Sequence, residues 1–190
     1  DLGRYQSGDP GAAISKAFEL AQDSSGQWRI ANLSDGILLS NGDVDRSFRS
    51  FPIYFFNTDL TSLVTDNVLV PVSNSGAATS LVRSLLDGPS PYLSPVATNA
   101  FPVGTTLTYG SVPVTNGIAE VDLSNEILGA DESSRRALSA QLVWTLSALP
   151  NVTAVEISVS GQPLALANVS SPQTIQDWQN LSTSPDVDQV

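Results

Sequence analysis

The stretch from Gly117 to Gly161 constrains the fold more than any other part of the chain, because three periodic patterns follow one another within it. Apolar residues alternate with acidic ones in the segment AEVDL, and with polar ones in the segment VEISV. A period of two is typical of strands that place one face on a core. The apolar positions are Ala119, Val121 and Leu123 in the first segment and Val155, Ile157 and Val159 in the second.

A helix is predicted between these two strands. Asp131 stands where a carboxylate accepts hydrogen bonds from the free amides of a first turn, and Pro150 prevents a further turn. Trp144 lies beside the apolar stripe of this helix together with Gln141; we interpret Trp144 as a core residue, with partner contact as the alternative. The stripe consists of Leu138, Leu142, Leu146 and Leu149.

The composition narrows the possible functions. A chain of 190 residues fits one domain, or one domain with a partial neighbour. Its net charge of −11 disfavours nucleic acid and anionic lipid as partners. The chain has neither cysteine nor histidine, which excludes disulfides, thiolate or imidazole metal sites and histidine-based catalysis. We therefore predict no cofactor and no metal site.

The first 50 residues are predicted to form a helix followed by a hairpin. Apolar residues recur at three- and four-residue spacing from Pro10 to Ala21, which indicates a short helix capped by Asp9. Trp28–Ala31 and Ile37–Ser40 are then predicted to pair around a turn at residues 34–36.

The segment NGDVD, residues 41–45, resembles a calcium-binding loop in its alternating acidic residues. Such a loop needs a glycine at its sixth position and a glutamate at its twelfth, where this chain has Arg46 and Pro52. The favoured interpretation is a plain turn in which Asp43 caps a short helix that runs to Phe48.

The segment FPIYFF, residues 51–56, is apolar on both alternating faces, which indicates a strand that is covered on both sides. We expect helices over one face and residues 10–50 over the other. A further strand is predicted over Val68–Val72, and a helix after it, capped by Asn74 or Ser75. That helix ends at Gly88, which suits the left-handed conformation of a helix C-terminus. Its apolar stripe is Ala78, Leu81, Val82, Leu85 and Leu86.

The segment Ser90–Gly104 contains three prolines and is too long for a simple turn. The favoured interpretation is a connector packed through Tyr92, Leu93 and Phe101, and the alternative is a binding loop. After it, Asn116 and Gly117 give a strong hairpin signal between two strands, predicted over residues 105–115 and 118–123.

These elements predict the fold class. From residue 51 to 166 we expect an α+β fold, with a mixed or antiparallel sheet and two helices packed on one face, preceded by a partial α+β segment. From Asn168 onward polar residues dominate, which is typical of a linker. Within it, Ile175, Trp178 and Leu181 either dock on the domain or belong to a following one.

The chain offers one hypothetical set of catalytic residues, formed by carboxylates. Lys16 is the only lysine and has no serine at the spacing of a Ser–Lys pair. Glu120 and Asp122 lie on one strand face, and with Glu126 they form a hypothetical glycan-cleaving set. A solvated acidic face is the favoured interpretation, so we predict that the chain is not an enzyme. The predicted partner-binding residues are Tyr92, in the connector, and Arg135 and Arg136, in the second helix, with a solvated helix face as the alternative for the arginines.

Several motifs in this order resemble the GerMN domain of sporulation and spore-germination proteins. They are LVRSLLDGPSPYL, FPVGTTL, GIAEVDLS and AQLVWTLSALPNVTAVEISVSGQPL. Together with DGILLSNGDVDRSF and FPIYFFN upstream, the chain resembles the LpqB family of actinobacterial lipoproteins over residues 26 to 180.

The resemblance implies a domain order. Residues 1–50 would be the end of an N-terminal lipoprotein domain, 51–167 the GerMN-like domain, and 168–190 a linker toward a β-propeller. Members of the family are exported and anchored in the membrane by a lipidated cysteine near the N-terminus. The chain is therefore expected to be a middle fragment, located outside the cytoplasm at the cell membrane, with the membrane reached only through that anchor.

The resemblance also implies a function. The family acts with the extracytoplasmic domain of a sensor histidine kinase, in a two-component system that influences cell division and envelope homeostasis. We expect a non-catalytic interaction module that binds this domain; the alternative is a domain that binds peptidoglycan.

Overall fold

The computed structural model describes residues 17–32, 39–72 and 76–183. The chain divides into two compact units, Asp1–Arg46 and Ser47–Val190. The fold class predicted from the sequence, α+β, is confirmed.

The first unit contains a two-stranded antiparallel hairpin of β1 (Glu19–Gln22) and β2 (Trp28–Asn32). The Asp23 carboxylate accepts hydrogen bonds from the amides of Ser25 and Gln27, and so closes the turn between them.

Two sequence predictions are corrected in this unit. Glu19–Gln22 is a strand and not the end of a helix; the rest of the predicted helix up to Lys16, with its cap, lies outside the described residues. Trp28–Ala31 pairs with β1 and not with Ile37–Ser40, of which residues 37 and 38 lie outside the described residues. The turn chemistry of Asp23 outweighs the helical spacing of small residues before it.

Helix α1 (Asn41–Ser47) follows, which confirms the predicted short helix; it ends one residue before Phe48. The capping residue differs from the prediction. The Ser40 hydroxyl accepts from the amide of Asp43, and the Asp43 carboxylate accepts in return from the amide and hydroxyl of Ser40. Ser40 is thus the N-cap of α1, and Asp43, the third residue of the helix, completes a capping box with it.

The described part of the second unit carries two four-stranded sheets and two α-helices. The first sheet consists of β3 (Phe48–Asn57), β4 (Ser62–Pro71), β5 (Ala97–Thr98) and β10 (Ser182–Thr183), in the order β10-β4-β3-β5. The second consists of β6 (Val114–Thr115), β7 (Ile118–Leu123), β8 (Ala154–Val159) and β9 (Gln162–Pro163), in the order β6-β7-β8-β9. The single sheet expected from the sequence is therefore corrected to two. The helices are α2 (Ala77–Asp87) and α3 (Glu132–Leu146).

Strand β3 is the centre of the first sheet and is covered as its apolar pattern predicts. Phe55 and Phe56 point to opposite faces and both are buried. Both α2 and α3 pack against this strand. The sequence predicts that residues 10–50 cover the second face of this strand. That prediction is wrong for Phe48–Ser50, because these residues are the first part of β3 itself.

Helix α2 has the predicted apolar stripe, and Gly88 follows it with a φ of 92°. Its N-cap is Gly76, without a side-chain hydrogen bond, and not Asn74 or Ser75, which lie outside the described residues. In the connector after it, Leu93 and Phe101 are buried, which confirms the packed interpretation for these two residues.

Helix α3 packs against β3 of one sheet and β8 of the other. Its predicted cap is confirmed, because the Asp131 carboxylate accepts from the amide of Ser134 at 2.7 Å. The predicted leucine stripe is buried as well. Trp144 packs on Tyr54, with ring centroids 5.5 Å apart, which confirms its core interpretation. Because α3 is covered by both sheets, it also buries polar residues: Ser139, Gln141 and Thr145.

The predicted hairpin at Asn116–Gly117 is confirmed, with φ of 52° and 85° at these residues. Only Val114 and Thr115 of the predicted segment 105–115 form a strand before it. Strand β7 then pairs in parallel with β8, so α3 is the crossover between them.

Gly117 gives a testable prediction. A Cβ added at this residue would lie 2.7 Å from Thr153 Oγ1, whereas one added at Gly161 meets nothing within 4 Å. Both glycines have positive φ. We expect Gly117→Ala to lower the free energy of unfolding by about 2–3 kcal/mol and Gly161→Ala by about 1 kcal/mol, as measured by urea denaturation. Equal losses would mean that the backbone conformation alone sets the cost.

The segment after β9 packs on the second unit. Gln173 exchanges two backbone hydrogen bonds with Val155, at 2.7 and 2.8 Å. A 3₁₀ helix over Ile175–Trp178, closed by a capping box, then places Trp178 against α3, and β10 adds to β4. Residues 168–183 are therefore not a free linker, and of the two alternatives the structure shows docking. The three-part domain division otherwise stays a prediction.

Candidate interaction surface

An exposed turn in the connector presents an apolar side chain to solvent. Thr105 donates two hydrogen bonds to the carbonyl of Pro102, from its amide at 3.2 Å and from its hydroxyl at 2.7 Å. Gly104 has a φ of 89°, the conformation that the third position of a type II turn requires. Val103 is at the tip and is 99% exposed.

A 3₁₀ helix over Asn125–Gly129 lies next to this turn. Ser124, just before it, accepts from the amide of Thr106 through its hydroxyl and donates its own amide to the Thr106 carbonyl. Ile127 anchors the 3₁₀ helix in the core, whereas Leu128 is 64% exposed. The two hydrogen bonds hold the turn and the 3₁₀ helix in fixed positions.

These two segments and the first turn of α3 border one open groove. Polar and apolar atoms contribute about equally to its walls, and Glu126 is one of the lining residues. The hydroxyl of Ser124 and the backbone amide of Glu126 itself lower the pKa of this carboxyl, so that it is ionised at neutral pH. The lining residues are Ala100, Phe101, Pro102, Val103, Glu126, Gly129, Ala130 and Ser134.

Asp131, the N-cap of α3, uses its carboxylate to bind the first turn of that helix. The amide of Ser134 and the hydroxyl of Ser133 donate to it, at 2.7 and 2.8 Å. The first of these bonds is the main reason why the pKa of Asp131 is below its ordinary value of 3.8.

The lowered pKa of Asp131 predicts a pH dependence of stability. Its stabilising contribution is fully present above the unfolded-state pKa and is lost as the pH falls through the lower folded-state pKa. We expect Asp131→Ala to lower the thermal midpoint at pH 7, and the difference from the unsubstituted chain to shrink as the pH falls below 3.8. Asp59→Ala, at an exposed turn residue, serves as the control. A difference that stays constant down to pH 2 would contradict this account.

The three predicted partner-binding residues do not line the groove. Tyr92 is 81% exposed in the connector. Arg135 donates to the carbonyl of Asp131 within α3. Arg136 donates to the carbonyl of Ala167 at 2.8 Å, and its guanidinium lies over the ring of Trp178, 5.4 Å from the centroid. Arg136 thus holds the C-terminal segment, and partner binding by these residues stays a prediction.

The hypothetical catalytic carboxylates have different environments. Asp122 accepts from the hydroxyl of Ser158 at 2.8 Å and from the amide of Gly161 at 2.9 Å, so it joins β7 to the turn after β8. Glu120 is exposed and stands opposite Glu156 on the neighbouring strand. Asp122 therefore has a structural role that the sequence alone did not indicate.

The groove was missed in the sequence analysis, which considered Glu126 only as a catalytic carboxylate. The signal that predicts its exposed tip is the segment PVG, because proline and glycine around one residue favour a turn. Within the described residues, no group of acidic side chains is arranged to hold a metal ion. The helices of the described segments are also too short or too polar to cross a bilayer.

The family model for sporulation and spore germination, Germane, matches residues 52–165. This chain belongs to the GerMN family. It is similar to lipoprotein LpqB of Thermobifida fusca, with 38% identity over 95% of this chain and 29% of that protein. LpqB of Mycolicibacterium smegmatis is 33% identical over 86% of this chain and 29% of that protein. The chain thus spans less than a third of the length of these relatives.

Solved structures show the same GerMN fold. The tandem GerMN domains of the sporulation protein GerM from Bacillus subtilis superpose with a TM-score of 0.56 at 19% identity, over 82% of this chain and 51% of that one. The first GerMN domain alone gives a TM-score of 0.50 at 17% identity, over 66% of this chain and 96% of that one.

Proposed function

We propose that this chain is a non-catalytic interaction module of a membrane-anchored lipoprotein, located outside the cytoplasm, that binds the extracytoplasmic domain of a sensor histidine kinase. Through this contact it modulates signalling for the cell envelope and cell division. The similarity to proteins named lipoprotein LpqB supports the placement in the envelope. The single observation that carries the binding role is the groove beside Val103.

The chemistry of the groove suits binding better than catalysis. Val103, in the groove, and Leu128, in the adjoining 3₁₀ helix, offer exposed apolar contact, and the ionised Glu126 offers one charge. A fixed turn that presents an apolar side chain loses little conformational freedom on binding. The expected ligand surface has an apolar side chain next to a basic one.

The test is a calorimetric titration of this chain against the extracytoplasmic domain of the sensor kinase from the same organism, at two salt concentrations. Val103→Ser is expected to weaken binding about tenfold, as for a central apolar contact. Glu126→Gln should weaken it less and reduce its salt dependence. Val72→Ser, at another exposed valine, is the control. Absence of saturable binding, or equal effects of Val103→Ser and Val72→Ser, would overturn the proposal.

A second candidate is peptidoglycan binding. The exposed rings of Tyr92 and Tyr109 favour it, because an aromatic ring offers a rigid apolar face to a sugar ring. A pull-down with purified peptidoglycan tests it. Enrichment that is lost in the Tyr92→Ala and Tyr109→Ala variants supports this candidate, and recovery no greater than that of an acidic control protein rejects it.

A further inference from the structure

The hairpin of the first unit has an apolar face that the other described residues of this unit leave exposed. Its strands pair with Leu20 opposite Ile30 and Gln22 opposite Trp28, so Leu20, Trp28 and Ile30 share one side. We call these three residues the hairpin face. Trp28 is 66% exposed and the other two are more than half exposed; Phe18, just before β1, is also more than half exposed.

An isolated two-stranded hairpin needs a partner for its apolar side. All nine residues of β1 and β2 are exposed. The opposite side carries Glu19, Ala21 and Arg29, and Arg29 forms an ion pair with Asp23 at 3.1 Å. This hairpin therefore combines a concentrated apolar side with a polar side whose charges nearly cancel.

We propose that the hairpin face lies in the interfacial region of a lipid bilayer, as a second membrane contact beside the lipid anchor. Tryptophan with neighbouring aliphatic side chains is the typical composition of such contacts. The proposal rests on the proposed placement of this chain in a lipoprotein, which keeps a bilayer close to the hairpin.

The size of the face favours lipid over a second protein chain. Fully exposed side chains of this size contribute roughly 150–250 Å² each, so Phe18 and the three residues of the hairpin face together expose about 450 Å². A stable protein interface buries about 800 Å² on each partner. Insertion into a bilayer has no such threshold, because each apolar side chain contributes independently to the transfer.

The charge of the chain predicts the preferred lipid. With a net charge of −11, the chain is repelled by an anionic surface. Binding should therefore be stronger on zwitterionic phosphatidylcholine vesicles than on vesicles with anionic lipid, and added salt should reduce the difference.

The test is flotation of the full chain with phosphatidylcholine vesicles, combined with quenching of tryptophan fluorescence by brominated lipid. Trp28 is the exposed tryptophan, whereas Trp178 is buried and Trp144 is half-buried, so quenching reports mainly on the hairpin. Ile30→Glu is expected to reduce partitioning about tenfold or more, since it places a charge in the apolar contact. Ala21→Glu adds the same charge on the other side of the hairpin, where Ala21 pairs with Arg29, and should reduce partitioning less than about threefold.

The outcomes separate this inference from the kinase proposal. Flotation that is lost in Ile30→Glu and kept in Ala21→Glu supports the bilayer contact, whether or not the kinase domain binds. Lack of flotation, or equal loss in both variants, overturns it. A concentration-dependent dimer in light scattering that Ile30→Glu abolishes also overturns it, since a second copy would then cover the face. Val103→Ser, used for the kinase titration, should float like the unsubstituted chain.

Discussion

Replacing Gln141 with leucine is expected to lower the free energy of unfolding by about 2–4 kcal/mol. This loss is expected although leucine is apolar, is similar in size to glutamine and is found in protein cores far more often. Gln141 is fully buried in α3. Its side-chain amide donates to the carbonyl of Tyr54 at 3.0 Å and accepts from the amide of Ala100 at 2.7 Å. Leucine would leave two backbone groups without their partners in the interior, and that loss outweighs the gain in apolar burial.

The position of these two groups explains why glutamine is needed. Tyr54 is in β3, and β5 pairs with β3 only at Phe56 and Asn57. Beyond that short pairing, side chains of α3 take the place of a neighbouring strand. Gln141 donates to the carbonyl of Tyr54, and Thr145 Oγ1 accepts a hydrogen bond from the amide of Tyr54 at 3.1 Å. Helix α3 thus completes the hydrogen bonding of a strand edge in the core.

Thr145→Val is the matched comparison. It removes one hydrogen bond to the same residue, keeps the shape of the side chain, and should cost about 1–2 kcal/mol. Urea denaturation of both single variants and of the double variant gives the coupling between them. If Gln141→Leu changed the free energy of unfolding by less than about 0.5 kcal/mol, the role assigned to α3 at this edge would be wrong.

The sequence predicted the parts of this fold that local periodicity determines. The leucine stripe of α3, its cap at Asp131 and the Asn116–Gly117 turn all depend on neighbouring residues, and all are confirmed. The division into two sheets could not be predicted in this way, because the contacts around the edge of β3 join residues far apart in the sequence, such as Tyr54 and Gln141, 87 positions apart. No local pattern carries that information, so a single sheet was the natural but incorrect prediction.

The candidate site was predicted less well than the fold. Tyr92 and Arg135 were selected as partly or wholly exposed residues in plausible segments, but an exposed position does not reveal which other segments lie beside it. The groove arises because Ser124 and Thr106, 18 residues apart, fix two loops side by side. Arg136 could not be recognised as a clamp while the segment containing Trp178, over whose ring its guanidinium lies, was interpreted as a linker.

Trp178→Ala is expected to lower the free energy of unfolding by about 3–5 kcal/mol, the cost of removing a buried tryptophan from a packed core. Trp178 is 4% exposed, lies against α3 and has the guanidinium of Arg136 over its ring. A tryptophan in a free linker would be solvated, and its removal would leave the stability within about 0.5 kcal/mol of the unsubstituted chain. Urea denaturation of this one variant therefore separates the two interpretations of the C-terminal segment.

Trp178→Phe sharpens the test. The indole nitrogen of Trp178 is buried and has no hydrogen-bond partner among the described residues, so phenylalanine removes a donor that contributes nothing there. We expect a loss of only about 1 kcal/mol, from the smaller ring alone.

Arg136→Ala should cost about 1 kcal/mol through its contacts with the ring and with Ala167. The family match ends at residue 165, before Trp178. A large effect of Trp178→Ala would therefore mean that the stable folding unit in this chain extends beyond the matched domain, through the segment that docks on α3.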